Sequence, residues 1–268
     1  MKLNDFFMKH AVFTVEELDL FLSARGSGNP NTRKSLVTYY KNQGRIVSVR
    51  RGIYAVVPFG SEPSSSLVDP YLIAAKLTAD AVLAYHTALE FHGKAHSVYL
   101  KHYFLSRNKS QPLSFQSNKF IRAPVPFSLR KKNMEMVGVE SYSRSGVKIR
   151  VTNLERTFVD VLDKPDLAGS WEEIWRSLES IEFFDLDQVV EYVLLLNNAT
   201  TAAKVGFYLE EHRESLMVGE DYLKVIRDMR PRQPHYLNRS DRKNCKWNKN
   251  WNLLIPTEII TKQWEEVL

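Results

Sequence analysis

Three groups of side chains in this 268-residue chain have types and spacings that could do chemistry. His86, Glu90, His92 and His96 carry metal-ligand atoms in one short segment. On a helix, His86 and Glu90 share a face at i, i+4, but His92 lies roughly 240° around from His86. His92 and His96 have a zinc-like spacing, and Gly93 interrupts it. Asp160, Asp163 and Asp166 could hold Mg²⁺ in a nuclease. However, Asp160 stands at i+4 from Arg156, where the two can pair, and the other two follow the helix end. Cys245 sits in RKNCKWNKN, where lysines could lower its pKa, but the surrounding tail reads as irregular. No Gly-x-Ser-x-Gly elbow, Walker A loop or dinucleotide fingerprint appears. The sequence therefore predicts no catalytic residue, no metal, no cofactor and no enzyme.

The remaining chemistry is recognition of a polyanion. RIVSVRRGIYAVVP, residues 45–58, alternates apolar strand residues with Arg45, Arg50 and Arg51. The segment before it carries Asn31, Arg33, Lys34, Ser35, Thr38 and Lys41. At 100° per residue, Leu36, Val37 and Tyr40 fall on one side, and Asn31, Lys34, Ser35, Thr38 and Asn42 broadly on the other. Asn, Lys, Ser and Thr can donate and accept at base edges and phosphates, with Arg33 near the backbone at the helix start. Arg50 and Arg51, at a turn, would meet phosphates or a neighbouring minor groove. Either feature alone is ordinary solvated surface; the combination carries the meaning.

The elements that must position these residues follow from pattern. Leu3, Phe6 and Phe7 suggest an opening helix. Thr14-Val15-Glu16-Glu17 fits a capping box for a second helix with Val15, Leu18, Phe21 and Leu22 as its stripe. Gly26, Gly28 and Pro30 end it. A third helix is predicted over 31–42, with Gly44 as its stop. Strand, turn and strand follow, then Pro58 and a linker over 60–66. That order over residues 1–60 is a winged helix-turn-helix. Residues 67–168 read as a mixed α/β domain. It has a helix over 81–93 stopped by Gly93, strands in SVYLKHYFLS, KFIRAPV, MEMVGVES and GVKIRV, and a second capping box at Thr152–Glu155. Residues 169–268 read as a helical extension, helical through 170–229, with an irregular basic tail from Arg230. The expected fold class is α+β.

Composition narrows the setting. A hydrophobic fraction of 44% and a charged fraction of 25% are ordinary for a globular protein. The single cysteine excludes a disulfide framework and favours the cytoplasm. No signal peptide or membrane span is expected. The net charge of +6 is unevenly spread: +5 over 1–60, +9 over 101–150 and −11 over 155–221. Such asymmetry points to a basic face for nucleic acid and an acidic helical region facing elsewhere. Lys101, Arg107, Lys109, Lys119, Arg122 and Arg130-Lys131-Lys132 could extend the footprint, or bind a protein or RNA.

Three blocks carry a resemblance. Leu36…Tyr40…Gly44-Arg45-Ile46…Arg51-Gly52-Ile53-Tyr54 resembles the winged helix of AbiEi-type antitoxins. DAVLAYHTALEFHG and VTNLERTFVDVLDKP are similar to segments of the same family's second domain. The likeness covers most of residues 10–168; the last hundred residues are less diagnostic. It implies a type IV antitoxin and transcriptional autorepressor that binds inverted repeats in double-stranded promoter DNA. It also implies a partner, an AbiEii-like nucleotidyltransferase toxin, within phage abortive infection. Two alternatives stay open: neutralisation of the toxin by direct contact, and a nucleic-acid-processing enzyme. The acidic region 170–229 departs from the family's shorter members.

Overall fold

The computed structural model describes residues 3–63, 66–238 and 242–265. The fold is α+β, with three sheets and twelve α-helices among the described residues. None of those helices is long and apolar enough to cross a membrane. The chain forms two compact units interleaved in sequence. The first holds residues 1–83, 100–123 and 141–151; the second holds 84–99, 124–140 and 152–268. Residues 1–60 thus lie wholly in the first unit, 169–268 wholly in the second, and 67–168 contribute to both. Of the expected linker over 60–66, Ser64 and Ser65 lie outside the described residues.

The first unit opens with α1 (Asn4–Lys9), β1 (Val12–Thr14), α2 (Val15–Ser23), α3 (Pro30–Asn42), β2 (Ile46–Arg50) and β3 (Ile53–Val56). The Thr14 capping box is present: Glu17 N–H donates to Thr14 Oγ1 at 3.3 Å, and Thr14 N–H donates to Glu17 Oε2 at 2.9 Å. Asn29 caps α3, and Pro30 occupies its first turn, where a missing N–H costs nothing. Gly44 takes φ +65° just beyond the helix end. The strands form an antiparallel sheet in the order β1-β3-β2. Leu3, Phe6, Phe7, Phe13, Leu18, Leu22 and Ile46 make its core, with Leu36, Val37 and Tyr40 of α3 packed against it. Each large apolar side chain fully buried there stabilises the unit by about 1.5–3 kcal/mol. The burial leaves the Lys34–Thr38 side of α3 to solvent.

The rest of this unit is α4 (Pro70–Lys76) and a six-stranded sheet. Its strands are β4 (Val82–Leu83), β5 (Lys101–Ser106), β6 (Leu113–Phe115), β7 (Asn118–Pro124), β8 (Val139–Arg144) and β9 (Val147–Thr152), in the order β6-β7-β5-β4-β9-β8. Two expectations are corrected here. The helix expected over 81–93 starts only at His86, because Val82 and Leu83 pair with Leu105 and Phe104 in the sheet interior. Tyr85, at φ +57°, makes the break between strand and helix. In MEMVGVES the strand begins only at Val139, after a turn that needs Gly138 at φ +62°.

The second unit contains α5 (His86–Phe91), α6 (Phe127–Lys132), α7 (Leu154–Asp163), α8 (Trp171–Glu179), α9 (Leu186–Leu196), α10 (Ala199–Glu211) and α11 (Glu220–Asp228). The expected helical run is present. The α7 cap is Asn153 rather than Thr152: Asn153 Oδ1 accepts from Arg156 N–H at 3.0 Å. Thr152 still belongs to β9, and its hydroxyl meets Thr157 Oγ1 at 2.7 Å. The tail is not irregular. It forms β10 (His235–Tyr236), β11 (Cys245–Asn248), β12 (Leu253–Pro256) and α12 (Thr257–Thr261), with sheet order β10-β12-β11. Trp251, on the β11–β12 turn, is fully buried against Gly206 of α10 and donates through Nε1 to Glu210 at 2.7 Å.

Candidate nucleic-acid interface

Helix α3 and the β2–β3 turn border an open groove of about 690 Å³ in the first unit. Asn31, Arg33, Lys34, Thr38, Lys41 and Arg51 all line it, together with Val37 and Tyr54. Each comes there for a local reason. Asn31, Lys34, Thr38 and Lys41 lie on the α3 side that the core does not bury. Arg51 is raised by a tight turn in which Gly52 adopts φ +84°, a conformation that favours glycine. Gly52 C=O accepts from Val15 N–H at 2.9 Å, which ties that turn to the start of α2.

The other expected residues are placed differently. Ser35 is exposed on α3 but does not line the groove. Arg33 lines it while paired to Asp19 of α2. Arg45 donates to Val57 C=O at 3.4 Å, and its guanidinium lies over Phe59. Arg50 is half-buried and lines a second groove rather than this one: it donates to Leu77 C=O and, at 3.3 Å, to Ser110 Oγ.

A second groove, of about 660 Å³, is bordered by the same turn. Arg51 and Gly52 line both grooves, as does Glu16. Lys76, Lys148 and Arg150 add positive charge to the second. Sequence reasoning did not single out these three. The alternation in VKIRV was the available signal: Val147 and Ile149 are buried, and Lys148 between them is exposed. Arg150 is held by Ala79 C=O, and Lys76 by Glu17.

The second unit takes up the residues first considered for metal or catalysis. His86 Nε2–H donates to Glu173 at 3.0 Å, its ring stacks on Tyr99 at 3.9 Å, and Glu90 lies 3.7 Å from its Nδ1. His92 Nε2–H donates instead to Thr152 C=O at 2.8 Å, and His96 donates its backbone N–H to Ser177. Asp160 pairs with Arg156, as its spacing suggests, whereas Asp163 accepts from Asn198 and Thr201. No cluster of three or more His, Cys, Asp or Glu suited to a metal ion occurs among the described residues.

No protein-family model matches the chain, and no curated protein matches it. The fold is similar to the crystal structure of the RV2827C protein from Mycobacterium tuberculosis, with a TM-score of 0.62. The match covers 98% of this chain and 92% of that one at 16% sequence identity. At that identity the likeness concerns fold alone.

Proposed function

We propose that the first 60 residues form a winged helix-turn-helix that binds double-stranded DNA. In this reading α3 is the recognition helix and the β2–β3 turn is the wing. One observation carries it: Asn31, Lys34, Thr38, Lys41 and Arg51, from a helix and a separate turn, border one open groove. Lys34, Lys41 and Arg51 would neutralise phosphates, and each would release counterions. Asn31 and Thr38 would hydrogen-bond at base edges or phosphates as α3 enters a major groove.

Together with the three AbiEi-like sequence blocks, this groove supports a cytoplasmic antitoxin that represses its own promoter. Inverted repeats would seat two molecules on one site. A nucleotidyltransferase-like toxin is the proposed functional partner, and the protein acts by binding rather than catalysis. The net charge of −11 over residues 155–221 supports a second reading, direct capture of a basic partner.

Fluorescence anisotropy of the full chain with labelled duplex from upstream of its own reading frame tests the first reading. Salt-dependent binding that exceeds binding to scrambled duplex is expected, and equal affinity for both duplexes refutes an operator. Co-purification with the product of an adjacent gene tests the second reading.

A further inference from the structure

Resting on the winged-helix reading, we propose that Arg50 is a positioning residue that latches the wing to the six-stranded sheet and α4. It sets where its neighbour Arg51 stands and leaves the phosphate contact to Arg51. Two adjacent arginines in one turn thereby have opposite roles.

The geometry of Arg50 is that of a clasp. One guanidinium nitrogen donates to the carbonyl of Leu77, the buried C-cap residue of α4. Another donates at 3.3 Å to Ser110 Oγ, in the connection between β5 and β6. A planar guanidinium can span two acceptors from separate elements, which a single ammonium does less well. The β2–β3 register shifts between Ser48 and Arg50, and such a bulge re-aims a side chain.

Two more ties close the same corner. Lys76, next to Leu77, pairs with Glu17, whose carboxylate also accepts from Thr14 N–H. Gly52 C=O accepts from Val15 N–H. The turn, the start of α2 and the end of α4 are thus joined pairwise. Arg51, one residue on, is exposed and lines the groove beside Lys34 and Lys41. Holding the turn before DNA arrives lowers the ordering cost at binding.

The test compares Arg50→Ala, Arg50→Lys, Arg51→Ala and Ser110→Ala in the full chain, using the duplex from upstream of its reading frame across a salt series. Arg51→Ala should reduce the slope of log affinity against log salt by about 0.9, one phosphate contact. Arg50→Ala should weaken binding about tenfold with the slope unchanged. Arg50→Lys should keep the slope and recover part of the affinity. Ser110→Ala, a surface change that removes no charge, should weaken binding about threefold. The double variant Arg50→Ala/Ser110→Ala should be no weaker than Arg50→Ala alone.

Amide exchange of Arg51 and Ile53 in the DNA-free protein reads the latch directly, and Arg50→Ala should speed it. A slope that falls with Arg50→Ala, while exchange stays as in the wild type, overturns the latch and leaves the winged helix standing. Wild-type protein without salt-dependent DNA binding, and with Arg51→Ala silent, overturns the winged helix instead. Exchange then decides the latch alone: faster exchange in Arg50→Ala sustains it, and unchanged exchange overturns it.

Discussion

Arg156 and Asp160 stand one turn apart on α7, each only 1% exposed, with Nε 3.3 Å from the carboxylate. Arg156 also donates to Glu135 and Val137 carbonyls at 2.7 Å each, and Tyr192 OH donates to Asp160 at 2.7 Å. Burial pushes the Asp160 carboxyl above its usual range, against the pull of Arg156 and Tyr192. The buried pair is thus met on every side by hydrogen-bond partners: the Glu135 and Val137 carbonyls for Arg156 and the Tyr192 hydroxyl for Asp160. Asp160→Ala leaves a buried guanidinium without its counter-charge, and such losses cost about 3–5 kcal/mol. Tyr192→Phe removes one donor and should cost about 1–3 kcal/mol. Urea unfolding of both variants checks the ranking; equal stability to wild type would show the network to be dispensable.

Asp80 accepts from Ser106 Oγ at 2.6 Å, Arg107 N–H at 2.7 Å and Asn108 Nδ2 at 3.0 Å. Burial opposes its ionisation, yet these donors hold its pKa below the usual carboxylate value. The folded state therefore binds the proton more weakly than the unfolded chain. Its stabilisation is present above the unfolded pKa of about 3.9 and fades as pH falls through the lower folded value. Asp80→Asn should cost about 1–2 kcal/mol at pH 7, with a smaller gap at pH 3. Denaturant titrations at the two pH values test the sign; a gap that widens in acid contradicts it.

Gly206 lies inside α10, where alanine would ordinarily be favoured by about 1 kcal/mol. A Cβ at this position would fall 2.1 Å from the Trp251 ring, so the ring must move. Gly206→Ala should destabilise by about 1–3 kcal/mol despite its helix propensity. Thermal unfolding decides between the two effects, since propensity alone would raise the midpoint.

Lys34 and Lys41 border the α3 groove on the same side as Arg51. Lys34→Ala plus Lys41→Ala should reduce the salt slope of operator binding by up to about 1.8, with little change in stability. An unchanged slope in the folded double variant would remove α3 from the interface.

The N-terminal elements were legible because their signals are local. The Thr14 capping box, the Gly44 stop and the apolar Leu36, Val37 and Tyr40 are all read within a few residues. Phosphate-type residues on the opposite side of α3 followed from the same periodicity. Arg50 and Arg51 were indistinguishable in sequence, because the acceptors at Leu77 and Ser110 lie 27 and 60 residues away. Val82 and Leu83 read as helix because their strand partners, Leu105 and Val151, are distant. The sheet around Trp251 was missed for the same reason, since its short strands gain stability from burial on α10 rather than from their own pattern.

Trp251 also bears on the order of synthesis. Helix α10 is complete at Glu211, yet the ring that covers its Gly206 lies at position 251. On a ribosome adding about 5–20 residues per second, the 40 positions from Glu211 to Trp251 take roughly 2–8 seconds. During that interval α10 offers Gly206 and its neighbours as uncovered apolar surface. A nascent chain stalled before Trp251 would thus display a chaperone- and protease-sensitive face that the finished protein conceals.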